Sequence, residues 1–323
     1  MENKDFRIVF MGTAEFAVES LKILYENSFD IVAVVTAPDK PAGRGQKLSS
    51  SPVKKFAFEK NLKIFQPKNL KDEKFIYELK ELNAHLFVVV AFRMLPEVVW
   101  NMPPFGTINL HASLLPHYRG AAPINRAIMN GEKYSGVTTF FINDKIDSGN
   151  ILLQQKVEIT EDMDAGRLHD VLMHKGAKLL IDTVCGLKDK KLQEIPQSKL
   201  LPKDEPIKTA PKIFKEDCKI NWEDDVADIY NFIRGLSPYP GAWTIINKND
   251  KKYVLKILKS EIIYGDHDLI PGKIVSDNKT YFYISADDGL INVLSLQLEG
   301  KKRLDTPEFL RGFSLDNVKI EIN

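Results

Sequence analysis

The first half of the chain alternates short apolar runs with stretches that have the period of an amphipathic helix. The apolar runs cover residues 6–11, 31–36, 86–91 and 107–110. The segments between them, at 15–25 and 71–82, repeat apolar residues every three to four positions, which is the spacing of one helix face. This alternation predicts an α/β fold with a doubly wound, mainly parallel Rossmann-like sheet, whose ligands lie beyond the carboxyl ends of the strands.

The pattern changes after a long helix that we predict at 164–187. Residues 201–217 are rich in proline and lysine and have little hydrophobic periodicity, which indicates an interdomain linker. Beyond Trp222, a short helix is predicted at 226–235, and five short strand-like runs follow at 242–246, 253–263, 272–275, 281–284 and 290–298. Such a series of strands predicts a smaller C-terminal β-barrel. We therefore predict domains at 1–200 and 218–323, joined by the linker 201–217.

The composition indicates a soluble globular protein. Of 323 residues, 44% are hydrophobic and 28% are charged, which is ordinary for a soluble globular protein. No apolar stretch approaches the roughly 20 residues of a membrane span, and the two cysteines, Cys185 and Cys218, lack the spacing of a metal site. We expect a cytoplasmic monomer with no metal and no membrane partner.

A polar segment follows the fourth apolar run. Asn109 and His111 are two residues apart, so in a strand their side chains leave the same face. An amide donor beside an imidazole suits attack on an acyl carbon, because the amide stabilises the tetrahedral oxyanion while the imidazole handles the proton of the nucleophile. Asp147 could orient or charge the imidazole. Taken singly, each of these residues is more often part of a turn or of the core.

The neighbouring residues favour the functional interpretation. Ser113-Leu-Leu-Pro116 and Arg119-Gly-Ala-Ala-Pro123 have neither helical nor strand periodicity. With Asn109 and His111 they resemble the active-site signature of the formyltetrahydrofolate-dependent formyltransferases. The resemblance implies a catalytic triad of Asn109, His111 and Asp147, with 10-formyltetrahydrofolate as the formyl donor.

Two further segments are expected to bind the folate. The turn after the run at 86–91 has a backbone that could pair with a flat heterocycle, and the family resemblance implies pterin contacts from Arg93, Met94 and Leu95. The sequence departs here from the usual bacterial pattern, which has a glycine and one more residue in place of Phe92-Arg-Met94. The resemblance also implies folate contacts from Ser113, Leu114, Leu115 and Pro116.

A long basic loop, residues 36–55, lies between the second apolar run and the next helix. Its segment 39–55 has five basic residues and one acidic residue, a formal net charge of +4, which suits a phosphate backbone. Basic loops are usually only solvated surface, but this one resembles the inserted loop with which tRNA-formylating members of the family contact the acceptor arm. We expect tRNA contacts first from Arg44 and then from Lys40 and Lys47.

The C-terminal part has no general basic character. From Lys203 onward there are 18 basic and 20 acidic residues, so tRNA binding there would depend on local clusters. The segment 209–213 resembles a family motif, and we expect tRNA contacts from Lys208 and Lys212 beside it. The segment 233–243 resembles the start of the family's OB-like, tRNA-binding C-terminal domain.

Gly12 follows the first apolar run and suggests a phosphate-binding turn. The signal is weak, because neither a Gly-x-Gly-x-x-Gly nor a Gly-Lys-Ser/Thr motif accompanies it. We therefore predict that Gly12 serves turn geometry.

The resemblance covers the chain from Arg7 to the final barrel. It implies formyl transfer to the α-amino group of methionine esterified to initiator tRNA. A glycinamide-ribonucleotide formyltransferase would share the triad but would need neither the basic loop nor the barrel. A sugar-nucleotide amine formyltransferase, which can have a similar length, and a non-catalytic folate- or tRNA-binding module remain the alternatives.

Overall fold

The computed structural model describes residues 2–42, 47–200, 206–265 and 267–322. By packing, the chain separates into two compact units, which we call the N-unit and the C-unit. The N-unit comprises residues 1–120, 135–157 and 169–209, and the C-unit comprises residues 121–134, 158–168 and 210–323. The units therefore interleave along the chain, whereas the division predicted from the sequence, at 1–200, 201–217 and 218–323, is linear and stays a prediction.

Short strands and helices alternate over the first 210 residues. The strands are β1 (Arg7–Gly12), β2 (Asp30–Val35), β3 (Lys40–Ala42), β4 (Lys47–Ser49), β5 (Ile64–Phe65), β6 (Leu86–Val90), β7 (Thr107–His111), β8 (Arg119–Gly120), β9 (Tyr134–Phe141), β10 (Ile151–Glu158) and β11 (Thr209–Ala210). The helices are α1 (Phe16–Glu26), α2 (Pro52–Glu59), α3 (Glu73–Lys80), α4 (Glu97–Trp100), α5 (Pro123–Met129) and α6 (Ala165–Lys188), and 3-10 turns lie at Asn3–Asp5, Gln197–Lys199 and Glu216–Cys218. The helices predicted at 15–25, 71–82 and 164–187 are α1, α3 and α6.

Seven of these strands form the main sheet, in the order β10-β9-β7-β6-β1-β2-β5. The pairs from β5 to β7 are parallel, and β9 runs antiparallel to β7. The central strands β1 and β6 are almost wholly buried, as strands covered by helices on both faces must be. The predicted mainly parallel, doubly wound sheet is confirmed.

The order of the strands reverses between β1 and β6. The chain runs from β1 outward to β2 and β5, and returns to β6 and β7 on the other side of β1; this is the topological switch point, where such sheets bind ligands. Gly12 ends β1 there and pairs with Val90. A Cβ on Gly12 would lie 2.8 Å from the Cβ of Ala17 and 3.0 Å from the carbonyl oxygen of Val90, so close packing at this turn requires glycine.

The C-terminal residues form a second, antiparallel sheet. Its strands are β12 (Ala242–Lys248), β13 (Lys251–Tyr264), β14 (Ile274–Ser276), β15 (Phe282–Ser285), β16 (Gly289–Leu298), β17 (Leu304–Asp305) and β18 (Lys319–Ile320), accompanied by α7 (Val226–Leu236) and α8 (Thr306–Leu310). The order is β14-β15-β16-β13-β12-β18, with β17 on β16. This nearly closed sheet confirms the predicted barrel.

One side of α7 belongs to the core of the C-unit. Val226, Ile229 and Ile233 follow the helical period and are at most 1% exposed. Trp222 is buried in the same core, and its indole Nε1–H donates to Thr244 Oγ1 at 3.1 Å. The buried polar atom of this large side chain is thereby satisfied.

Candidate active site

Asn109 and His111 lie at the carboxyl end of β7, on the same face of the strand. Asn109 pairs in register with Val89 on one side and with Phe140 on the other, so its position is fixed from both flanking strands. It is half-buried. Among the residues that the structure describes, none takes a hydrogen bond from the Asn109 amide, and its N–H groups remain for a ligand.

The ring of His111 is held in one orientation. Its Nε2 lies 2.8 Å from the carbonyl oxygen of Tyr118, and because a carbonyl only accepts, Nε2 carries the proton. In the neutral ring Nδ1 is then the basic nitrogen. Nδ1 faces Asp147 Oδ2 at 3.8 Å, which is close enough for a strong charge interaction when the ring gains a proton.

Asp147 lies on a sharp turn that only certain residues allow. Its φ is +49°, a left-handed conformation that aspartate adopts more readily than most residues. Its Oδ2 accepts a hydrogen bond from the backbone N–H of Gly120 at 2.9 Å. Two residues on, a Cβ at Gly149 would lie 1.7 Å from the carbonyl oxygen of Phe141. Glycine at this position is therefore what lets the turn approach the end of β9.

Sequence reasoning missed one residue of the site, Gln197, which lies just before the proline- and lysine-rich stretch 201–217. Its Nε2 donates to the carbonyl oxygens of Asp147 and Gly149 at 2.9 and 2.8 Å. Its Oε1 accepts from Arg119 Nε and Nη2 at 3.0 and 2.6 Å. Burial lowers the pKa of Arg119, and the charge of Asp147 opposes that shift.

The loop at Ser113–Pro116 is internally satisfied. Ser113 is 1% exposed, and its Oγ donates to the carbonyl oxygen of His117 at 2.8 Å. Thr138 Oγ1 donates to the carbonyl oxygen of Ser113 at 2.6 Å, and Gln154 Nε2 donates to that of Leu115 at 2.7 Å. These hydrogen bonds fix the conformation of the loop. Direct folate contacts from its four residues stay predictions.

In the predicted pterin turn, Arg93–Leu95, two side chains contact the protein and one is exposed. The guanidinium of Arg93 donates to the carbonyl oxygens of Pro67 and Lys68, the latter at 2.9 Å, and burial lowers its pKa. Leu95 is buried, whereas Met94 is 70% exposed. Arg93 and Leu95 therefore anchor the turn, and Met94 is the side chain left on the surface.

The base of the basic loop is pinned by a carboxylate. Lys54 Nζ and Gln66 Nε2 donate to the two oxygens of Asp39 at 2.6 and 2.9 Å, and the hydrogen bond from Lys54 is the main cause that lowers the pKa of Asp39. Strands β3 and β4 form an antiparallel hairpin above this base. The stretch predicted as a loop thus contains a hairpin, and the charge of Lys54 is used internally.

The predicted tRNA contacts are only partly described. Arg44 and the side chain of Lys47 lie outside the part of the chain that the structure describes, and Lys40 is exposed on β3. Lys208, in the N-unit, and Lys212, in the C-unit, are both exposed. As tRNA contacts, all five stay predictions.

Comparison with known proteins identifies the family. The family model described as formyl transferase matches residues 6–184, and the model described as formyl transferase, C-terminal domain, matches residues 212–314. The chain belongs to the formyl transferase family. This formyl transferase is 52% identical to a protein named methionyl-tRNA formyltransferase from Bacteroides fragilis, over 98% of this chain and 97% of the relative. A relative of the same name from Flavobacterium johnsoniae is 50% identical over 97% and 98%.

Solved structures share the fold of this formyl transferase at lower identity. An N-formyltransferase from Helicobacter canadensis, in complex with folinic acid and dTDP-3-aminofucose, matches with a TM-score of 0.63 and 24% identity over 88% of this chain and 98% of that one. HypX from Aquifex aeolicus, in complex with tetrahydrofolic acid, matches with a TM-score of 0.62 and 16% identity over 96% and 48%.

The described residues offer neither a membrane-spanning helix nor a metal-binding cluster. No helix is long and apolar enough to pass through a bilayer, and the acidic, histidine and cysteine side chains there form no group of three placed to hold a metal ion. What the site does contain is an amide donor, a basic imidazole nitrogen and a carboxylate. These are the groups that acyl transfer to an amine requires.

Proposed function

We propose that this chain transfers a formyl group from 10-formyltetrahydrofolate to the α-amino group of methionyl initiator tRNA. The observation that carries the proposal is that His111 Nδ1 lies 3.8 Å from Asp147 Oδ2. The amide of Asn109, two residues before His111, is available to a ligand. The near-full-length similarity to relatives named methionyl-tRNA formyltransferase supports the choice of acceptor. The N-formylmethionyl-tRNA formed would serve translation initiation in the cytoplasm.

The residues divide the reaction between them. The neutral amine of the aminoacyl-tRNA attacks the formyl carbon, and an N–H of Asn109 donates to the oxyanion that develops. The proton of the attacking amine passes, directly or through a water, to Nδ1 of His111, and Asp147 stabilises the resulting imidazolium. Collapse of the tetrahedral intermediate breaks the bond from the formyl carbon to N10 of the folate, and N10 takes up the proton. No step calls for a metal.

The remaining parts of the chain supply binding. We propose that the turn 93–95 and the loop 113–116 hold the folate, because both flank the end of the strands that place Asn109 and His111. The exposed cation Lys40, with Arg44 and Lys47, would contact phosphates of the acceptor arm. Lys208, Lys212 and the barrel at 218–323 would extend that contact, and we propose that the enzyme acts as a monomer.

A parallel assay tests the acceptor. The purified protein is given 10-formyltetrahydrofolate with methionyl initiator tRNA, methionyl elongator tRNA or an amino-sugar nucleotide, and formylated product is measured. We expect product on the initiator tRNA alone. Product on the sugar alone would support the sugar-nucleotide alternative, and folate binding with no product on any acceptor would support a binding module.

A further inference from the structure

Gln197 is brought to the active site by a short segment that follows α6, near the end of the predicted domain 1–200. Ile195, two residues before it, exchanges two backbone hydrogen bonds with Ile151, at 2.8 and 2.9 Å. This bridge places the 3-10 turn Gln197–Lys199 beside the turn that bears Asp147. The side chain of Gln197 is 4% exposed, so its polar atoms need partners within the protein.

The amide of Gln197 uses its full hydrogen-bonding capacity. The two N–H groups of Nε2 donate to the carbonyl oxygens of Asp147 and Gly149, and Oε1 accepts twice from Arg119. The assignment of the two amide ends is unambiguous, because a guanidinium only donates and a carbonyl only accepts. A glutamine is therefore the side chain that satisfies both neighbours at once.

These contacts hold Asp147 from both sides. The two carbonyl oxygens belong to the backbone of the turn in which Asp147 has a φ of +49°. Arg119 immediately precedes Gly120, whose N–H binds the Asp147 carboxylate. Gln197 thus connects the backbone of the Asp147 turn to the segment that receives its side chain. Loss of this connection would free the carboxylate to move relative to Nδ1 of His111.

We propose that Gln197 is a positioning residue for formyl transfer, which clamps Asp147 at its distance from His111. The inference rests on the proposed function, since it assumes that Asp147 assists His111. Gln197 contacts the backbone of the Asp147 turn and Arg119, so it acts on the reaction through the position of the carboxylate. Its removal should therefore lower turnover without weakening folate binding, and only while Asp147 is present.

The decisive variant is Gln197→Glu in the full chain. It keeps the size of the side chain and its acceptor for Arg119, but it cannot donate to the two carbonyl oxygens and places negative charge against them. With saturating methionyl initiator tRNA, we expect kcat to fall about tenfold, and KM for 10-formyltetrahydrofolate to stay within about twofold of the parent. Asn83→Asp, which removes the donor of a hydrogen bond to the carbonyl oxygen of Glu81 after α3, is the matched control, with kcat unchanged.

A double-mutant cycle separates positioning from general stability. In an Asp147→Ala background, Gln197→Glu should lower the single-turnover rate of formyl transfer by no more than about twofold, because no carboxylate remains to be held. An equal loss in both backgrounds would overturn the proposal, as would a kcat within about twofold of the parent in the single variant. If Gln197→Glu fails to fold, Gln197→Met, which removes donor and acceptor without adding charge, replaces it in the same cycle.

A second readout does not depend on the acceptor. The backbone N–H of Gly120 is protected by Asp147 Oδ2, so in Gln197→Met its hydrogen exchange should quicken about tenfold. The N–H of Ile142, bonded to the carbonyl oxygen of Thr107 at 2.8 Å, should keep its rate. Unchanged exchange at Gly120 would refute the clamp, whereas a parent protein that formylates no tRNA would refute the proposed function and leave this readout valid.

Discussion

The loops at 106–120 and 143–149, which we propose are catalytic, and the basic hairpin within 36–55 both belong to the N-unit, yet they are built in different ways. In the catalytic loops most polar groups, the Asn109 amide excepted, are bonded within the protein; His111 and Ser113 are almost fully buried, and so is Gln197, which contacts the second loop. The hairpin is held at its base, where Lys54 and Gln66 donate to Asp39, and its described cation Lys40 faces solvent.

The difference fits the ligand that we propose for each region. A formyl group under transfer has only a few atoms that the protein can contact, so the side chains that contact it must be held in place before it binds. A phosphate backbone offers a repeated charge, which exposed cations can meet without a unique geometry. Substitutions in the catalytic loops should therefore change kcat, and substitutions in the hairpin should change KM for the tRNA.

The largest effect is expected for Asn109→Ala. Removal of an oxyanion donor typically costs about 100-fold to 1,000-fold in turnover, and because Asn109 is half-buried on a central strand, the fold should survive. Steady-state kinetics with both substrates measures the effect, and circular dichroism checks the fold. Near-normal kcat in a folded variant would remove Asn109 from the mechanism.

Gly149→Ala should have the next largest effect. The added methyl would lie 1.7 Å from the carbonyl oxygen of Phe141, so the turn must move, and overpacking of this kind typically costs about 1–3 kcal/mol. The movement would displace Asp147, and we expect kcat to fall with the free energy of unfolding. Gly312→Ala is the control, because Gly312 has no positive φ and a Cβ there would lie 3.9 Å from the carbonyl oxygen of Phe309, an ordinary contact. Equal kcat in Gly149→Ala and the parent would show that the turn tolerates displacement.

The same two regions show what the sequence could predict. Asn109 and His111 were predicted because a strand places alternate residues on one face, and because the motif around them is local in sequence. Gln197 lies 50 residues from Asp147, and no local pattern connects them, so only the folded chain reveals the contact. Helix α2 begins with a Ser51 cap and Pro52, which is a signal that the sequence did contain.

The short elements and the unit boundaries were beyond local reasoning. Strands β3 and β4 have three residues each, too few for an alternation pattern to stand out. The segments 121–134 and 158–168 pack with the C-unit although they lie within the predicted catalytic domain. Their assignment depends on tertiary packing, which overrides local propensity.

Arg44→Ala and Lys40→Ala probe the basic loop 36–55; Lys40 lies on β3 of the hairpin, and Arg44 lies outside the described residues. If each cation contacts one phosphate, each substitution should raise KM for methionyl initiator tRNA severalfold, leave kcat nearly unchanged, and reduce the slope of log KM against log salt by about one. Lys74→Ala, on α3, removes an exposed cation outside the hairpin and serves as the control. A fall in kcat with KM unchanged would indicate a catalytic role for this loop. It would contradict the expectation that its substitutions change only KM for the tRNA.

The smallest effect is expected for Asp39→Asn, which weakens the pin without removing a proposed tRNA contact. Because the hydrogen bond from Lys54 lowers the pKa of Asp39 below 3.8, the pin is fully formed at any pH well above that value, and it is lost only as the pH falls through the lowered pKa. In neutral buffer we therefore expect KM for the tRNA to rise about twofold in the variant, since the Asp39–Lys54 ion pair is only half-buried and a pair so near the surface contributes little. The hairpin of the parent should keep its amide protection from pH 5 to pH 8. Loss of that protection near pH 6 would mean that a group other than Asp39 holds the hairpin in place.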